Sequence, residues 1–228
     1  MKKLLDTWRE NRVYFITYLI FLLAGLGIIL LTNKGDAVLW FNARHSEAFD
    51  LFFSFWTKMG EEWPFIIAGI FMVFYQVRHA MYMMLLGGMT MLVSFILKLF
   101  FAHPRPAKFF SDQGIYQELN KVEFIQVSHG FTSFPSGHTM AAFAIFTFLA
   151  CNTRSAVLKL ILLGSAILVA VSRMYLLQHF LQDVCLGSVC GIVIALIVYR
   201  LQLYYNSAGR TDKWNLPVRE FMRSTCRS

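Results

Sequence analysis

Apolar residues fill six blocks of this chain, at about 13–32, 63–78, 80–98, 137–152, 156–176 and 181–200, with polar and charged residues crowded between them. A helix rising ~1.5 Å per residue needs about 20 residues to cross ~30 Å of hydrocarbon. Each block is therefore expected to be a transmembrane helix, although the second and fourth are short for a crossing. The pattern predicts an all-α integral membrane protein of six transmembrane helices. The expected layout of the single domain, 1–228, is a cytoplasmic N-terminus (1–12), a six-span core (13–200) and a basic cytoplasmic tail (201–228).

The gaps carry patterns of their own. Phe49, Phe52, Phe53 and Trp56 recur at helical spacing, with Asp50, Ser54 and Thr57 on the opposite face. This reads as an amphipathic helix lying on the membrane surface within the first outer loop. The second outer loop, 107–134, is polar and is a candidate lid or substrate contact. The third block is rich in methionine, an adaptable packing residue. The last holds Gly187 and Gly191 in a G-x-x-x-G spacing that permits close helix contact, here expected within the monomer. The first block follows Lys2, Lys3, Arg9 and Arg12 as a signal sequence would. Its length and the lack of a small-residue cleavage site favour an uncleaved anchor.

Composition narrows the class. At 57% hydrophobic and 15% charged residues, the chain is too apolar for an ordinary soluble domain. A net charge of +8 raises the question of nucleic acid, but the cations are not gathered into one patch, so no nucleic-acid partner is expected. With both termini in the cytoplasm, the inner segments hold Lys2, Lys3, Arg9, Arg12, Arg78, Arg154, Lys159, Arg200, Arg210, Lys213, Arg219, Arg223 and Arg227, which is 13 of the 21 lysines and arginines. The positive-inside rule favours this orientation. Cys151, Cys185, Cys190 and Cys226 have no metal-binding spacing and read as small hydrophobes rather than disulfide partners.

Three short stretches at the ends of apolar blocks carry chemistry. They are Lys98 with Arg105-Pro106; Pro135-Ser136-Gly137-His138; and Ser172-Arg173 with His179 and Asp183. The alternation of six spans delivers all three to one face, the outer one. Phosphate oxygens repel nucleophiles, so a catalyst of phosphoryl transfer must first neutralise charge. Lys98, Arg105 and Arg173 can do so, the arginines with forked contacts. Ser136 and Gly137, opening a helix, aim backbone N–H groups and the helix dipole at an anion. His179 and Asp183 lie four apart. On one helical face the carboxylate would orient the imidazole as a nucleophile, giving a phosphohistidine that water later hydrolyses. His138 would protonate the departing oxygen and then help activate water. His103 and His129 read as loop residues. No metal cage is evident, and no metal or other cofactor is expected.

The spacing and order of the three motifs resemble the signature of the type 2 phosphatidic acid phosphatase family, over about Lys98 to Asp183. The resemblance implies the same division of labour: His179 as nucleophile, Asp183 as its orienter, His138 as acid, and Lys98, Arg105, Ser136, Gly137 and Arg173 as phosphate ligands. The expectation is a metal-independent lipid phosphatase, favoured as a monomer, acting at the outer face of a bacterial inner membrane. From the resemblance, candidate substrates are undecaprenyl diphosphate, phosphatidylglycerophosphate, phosphatidic acid and the phosphates of lipid A. Alternatives are transfer of the phosphate to an acceptor other than water, or a transporter or structural protein with a vestigial phosphate site. Vanadate haloperoxidases share the family site but are soluble.

Overall fold

The computed structural model describes residues 2–123, 125–207, 216 and 218. Every regular element among them is helical: α1 (Lys2–Glu10), α2 (Arg12–Leu31), α3 (Asp36–Asn42), α4 (Glu47–Lys58), α5 (Trp63–Tyr75), α6 (Val77–Phe101), α7 (Pro106–Asp112), α8 (Gly137–Cys151), α9 (Ala156–Tyr175) and α10 (Leu181–Ser207), with one 3-10 turn at Tyr116–Glu118. Four stretches are long and apolar enough to cross a membrane: Arg12–Leu31, Val77–Asp112, Ala156–Tyr175 and Leu181–Asn206. Two apolar helices are shorter, Trp63–Phe74 and Gly137–Cys151. The chain is an all-helical integral membrane protein.

The short fourth block has a physical explanation. Helix α8 is apolar on all sides and buried along most of its length, the mark of a helix enclosed by others rather than by lipid. Its alanines at 141, 142, 144 and 150 leave room for neighbours to approach. On α10, Gly191 presses on α8 so closely that a Cβ there would lie 2.4 Å from the Met140 carbonyl oxygen. Gly187 does the same one turn earlier, 2.7 Å from that of Ser136. The G-x-x-x-G spacing thus serves packing within the chain. Helix α2 is laced to this centre by hydroxyls: Tyr14 bonds Thr147 on α8 at 2.7 Å, and Tyr18 bonds Ser188 on α10 at 3.2 Å. In an apolar setting such groups must be paired, so these bonds also fix the register of α2.

The described elements move several expected boundaries. The second and third blocks meet at Gln76, whose extended backbone ends α5 and starts α6, three residues before the break expected at 79. Arg78 is consequently a buried helical residue rather than a loop cation. Lys159, counted among the inner cations, lies in the first turn of α9, 4% exposed, with Nζ donating to the Glu10 carbonyl at 2.6 Å. Short helices α1, α3 and α7 were not expected; their apolar runs are too brief to show a period. Cys151 and Cys185 are buried, and Cys190 is half-buried; all three are free thiols. Cys226 and most of the tail after Ser207, including Arg210, Lys213, Trp214, Arg219, Arg223 and Arg227, lie outside the described residues.

The amphipathic segment is helix α4. Its N-cap is Ser46, whose side chain accepts from the Phe49 N–H, and Glu47 and Asp50 in the first turn suit the helix dipole. Phe49, Phe52 and Phe55 face outward, whereas Phe53, Ser54 and Thr57 are buried against the protein. The polar stripe, with Phe53, is therefore the side that packs, toward the end of α9.

Candidate active site

Each motif is held by a helix end. Lys98 lies in the last turn of α6, which stops at Ala102 in the left-handed conformation (φ 42°). The chain then reverses, and Arg105 caps α7 with its N–H donating to the Gly130 carbonyl at 3.0 Å. Ser133 N–H donates to the His103 carbonyl at 3.0 Å, so the end of the 107–134 loop runs back beside the first motif. Ser136 follows as the N-cap of α8, accepting from the Thr139 N–H, and its own N–H donates to the Asp183 carbonyl at 3.0 Å. At Gly137 a Cβ would lie 3.0 Å from Ser94 Oγ and 3.5 Å from Lys98 Nζ. The ammonium group of Lys98 is thereby set against the opening turn of α8, where N–H groups point outward.

The third motif wraps over the C-terminus of α9. Leu177, with φ 54°, turns the chain so that the N–H groups of Gln178 and His179 both donate to the Arg173 carbonyl, at 2.9 and 3.1 Å. His179 then sits in the turn before α10 rather than within that helix, and the two residues four apart do not meet as neighbours on one helical face. Phe180 is the residue before the first of α10, and Asp183 is its third. The Asp183 carboxylate reaches back to the Phe180 N–H at 2.9 Å, the geometry of a capping box. The same oxygen, Oδ2, accepts from the Ser133 hydroxyl and lies 3.4 Å from Nδ1 of His179. Nε2 of the imidazole is left facing away from its carboxylate.

Both members of that pair are almost fully enclosed, at 1% and 0% exposure. Burial pushes His179 down to about 4, opposed by the Asp183 hydrogen bond and assisted by Arg173. The ring is therefore neutral near neutral pH, with a lone pair on one nitrogen. Burial also lowers Arg105, against the pull of Asp183 in the other direction. The guanidinium of Arg173 donates to the Thr57 hydroxyl of α4. That of Arg105 donates to Gln178 Oε1 at 3.0 Å and reaches Thr132 Oγ1 at 3.5 Å. The Nε atoms of Arg105 and Arg173 are buried without a hydrogen-bond partner among the described residues, which leaves donors for an anion. Arg173, His179, Lys98 and Arg105 all act electrostatically on His138. All eight residues singled out in the sequence thus converge on one end of the bundle.

A cavity of about 480 Å³ borders this cluster. Lys98, Gly137 and His138 line it together with Phe65 and Ile66 of α5 and Met84, Met91 and Phe95 of α6. It is lined mainly by apolar side chains.

Sequence reasoning missed Thr57, Ser133 and Gln178, which hold Arg173, Asp183 and Arg105. For Thr57 a signal existed, since its polar stripe on α4 needed a polar partner somewhere. Ser133 and Gln178 had none, being single polar residues in loops. His103 packs at a tilt against Phe134, and His129 meets Tyr116 edge-on.

Fold and site together define a helical membrane protein with a cluster of cations and histidines at one end of its bundle, bordering an apolar cavity. The chain belongs to the PAP2 superfamily, whose family model matches residues 76–207. It is 40% identical over 94 residues to lipid phosphate phosphatase 1 of Arabidopsis thaliana, covering 36% of this chain and 28% of that protein. It is 34% identical over 84 residues to a probable diacylglycerol pyrophosphate phosphatase 1 of Schizosaccharomyces pombe, covering 31% and 30%. The matched stretches thus span under a third of those relatives. Among solved structures, Aquifex aeolicus LpxE superposes with a TM-score of 0.63 at 26% identity, covering 73% of this chain and 94% of the other. A transmembrane PAP2-type phosphatidylglycerolphosphate phosphatase from Bacillus subtilis gives 0.62 at 21% identity, covering 90% and 100%, a likeness of fold.

Proposed function

We propose that this protein is a lipid phosphatase that hydrolyses a phosphomonoester or diphosphate of a lipid through a phosphohistidine on His179. The observation that carries the reading is the junction of two unlike spaces: a cluster of fixed cations around a neutral, buried histidine, and an apolar cavity between α5 and α6. A soluble phosphate ester has no use for the second; a lipid phosphate needs both. The acyl or prenyl chain occupies the cavity, and the phosphoryl group lies against Lys98, Arg105, Arg173 and the opening turn of α8.

The steps follow from these positions. Nε2 of His179 attacks phosphorus while Asp183 holds Nδ1 and stabilises the imidazolium that forms. His138 gives its proton to the bridging oxygen as the bond to phosphorus breaks. Charge on the transferring oxygens is held by the three cations and the N–H groups after Ser136. Water, deprotonated by His138, then attacks the phosphohistidine and releases phosphate. None of these roles requires a metal ion. The rest of the reading is a single six-span domain over 13–200 with both ends cytoplasmic and the site at the outer face of a bacterial inner membrane, functioning as a monomer.

The test is phosphate release by the purified protein from a panel of lipid phosphates in detergent, beside His179→Ala. Release by the wild type and its loss in a variant of unchanged thermal stability is the expected result. No release from any lipid phosphate by folded protein would leave the phosphate-site architecture without catalysis and overturn the reading.

A further inference from the structure

The turn between α4 and α5 reaches into the site from outside the three motifs. A Cβ at Gly60 would lie 2.7 Å from the His138 carbonyl oxygen, so this turn is pressed directly onto the start of α8. The next residue, Glu61, places Oε1 4.0 Å from His138 Nε2, with each side chain about a third exposed. Glu61 and Glu62 also line the apolar cavity, together with Lys98 and His138. Glu61 acts electrostatically on Arg173 as well.

This location has a chemical meaning that rests on the phosphatase reading above. If the phosphoryl group lies against Lys98 and the opening of α8 and the lipid chain lies between α5 and α6, the atoms joining them must pass His138. A carboxylate beside the imidazole nitrogen that donates to the bridging oxygen faces the departing group. We infer that Glu61 is a specificity-determining residue that favours lipid phosphomonoesters, whose leaving group is a neutral alcohol, over lipid diphosphates, whose leaving group is an anionic lipid phosphate.

The two reactions differ only on the side Glu61 faces. In both, a bond forms from His179 Nε2 to the terminal phosphorus, and the bond from that phosphorus to the bridging oxygen breaks. With a monoester, the electron pair stays on an alkoxide-like oxygen that takes the proton of His138 and leaves as an alcohol. Glu61 meets no like charge on that departing group. With a diphosphate, the pair stays on the oxygen of a phosphate monoester. That group scarcely needs the proton, and it carries negative charge past the carboxylate. The penalty falls on the diphosphate alone, because terminal phosphate, nucleophile and lipid chain are shared.

The experiment compares hexadecyl phosphate with hexadecyl diphosphate in detergent micelles, as initial rates of phosphate release by wild type, Glu61→Gln and Glu61→Asp. Glu61→Gln is expected to raise the ratio of diphosphate to monophosphate kcat/KM by about tenfold, the order of one like-charge contact in a partly exposed site. Glu61→Asp keeps the charge and stays near the wild-type ratio. Glu61→Ala repeats the comparison should the amide variant fail to fold. A ratio that moves less than twofold in the uncharged variants, or that moves as far in Glu61→Asp, overturns the inference while leaving the phosphatase reading intact. Release from neither substrate by folded wild type overturns both.

Discussion

Asp183 meets His179 through a capping box: one carboxylate oxygen accepts the Phe180 N–H at 2.9 Å and lies 3.4 Å from Nδ1 of the imidazole. The helix end and the proposed nucleophile are therefore fixed by one atom. The arrangement explains why the pair needs a spacing of four without both residues being helical. A shift of the α10 N-terminus by one residue would move Asp183 out of the third position and release the ring.

Ser133 is the other donor to that oxygen, from a loop far away in sequence. Ser133→Ala should lower kcat by about 10–100-fold, the usual cost of losing a partner that orients a catalytic group. KM should change little, since Ser133 touches neither the cavity nor the cations. Ser133→Thr, which restores the hydroxyl, should recover most of the loss. A KM effect with kcat preserved would place Ser133 at the substrate instead.

How far the sequence led depends on the kind of contact. Apolar blocks long enough to cross a membrane announced the helices, because lipid imposes one length and one composition on every spanning element. The convergence of Lys98, Arg105, Ser136 and Arg173 was also legible, since alternating spans fix which ends share a face. The manner in which His179 finds Asp183 was not. Helical spacing gave the right pair for the wrong reason, as turn geometry around Leu177 has no periodic signature. Thr57 and Glu61 were invisible as site residues because nothing local to the segment between α2 and α5 says that it folds back onto Arg173 and His138.

The depressed value of His179, about 4 against an ordinary 6.5, gives a stability prediction. Between those limits the unfolded chain binds a proton at this position and the folded protein does not. Stability from this group is therefore full above pH 6.5 and is lost as pH falls toward 4. His179→Asn, which cannot titrate, should remove part of the acid-induced fall in melting temperature expected for the wild type in detergent. Parallel melting curves for the two proteins across that range would mean that the imidazole titrates normally when folded.

Orientation is tested by labelling. In a variant without the native cysteines, a thiol reagent unable to cross membranes should modify Asp112→Cys in spheroplasts and spare Arg154→Cys until the membrane is opened. Both positions are exposed, so the contrast reads sidedness rather than burial. The opposite pattern would move the site to the cytoplasmic face and change which leaflet supplies substrate.

The last prediction concerns inhibition. A phosphoryl group in transfer from lipid to His179 passes through a five-coordinate arrangement with charge spread over three equatorial oxygens. Lys98 Nζ lies beside the opening turn of α8, and the buried Nε atoms of Arg105 and Arg173 have no hydrogen-bond partner among the described residues, so these groups can receive those oxygens. Vanadate adopts that geometry with a nitrogen as axial ligand, so a site complementary to the transition state should bind it more tightly than the phosphate product. Activity should be inhibited by vanadate, competitively with lipid substrate, and should survive dialysis against EDTA. His179→Ala should weaken vanadate binding far more than phosphate binding, because only vanadate gains a bond to the ring. Equal losses for the two anions would reduce His179 to one more ligand in an anion site, and loss of activity in EDTA restored by a divalent cation would replace the fixed-cation mechanism with a metal-assisted one.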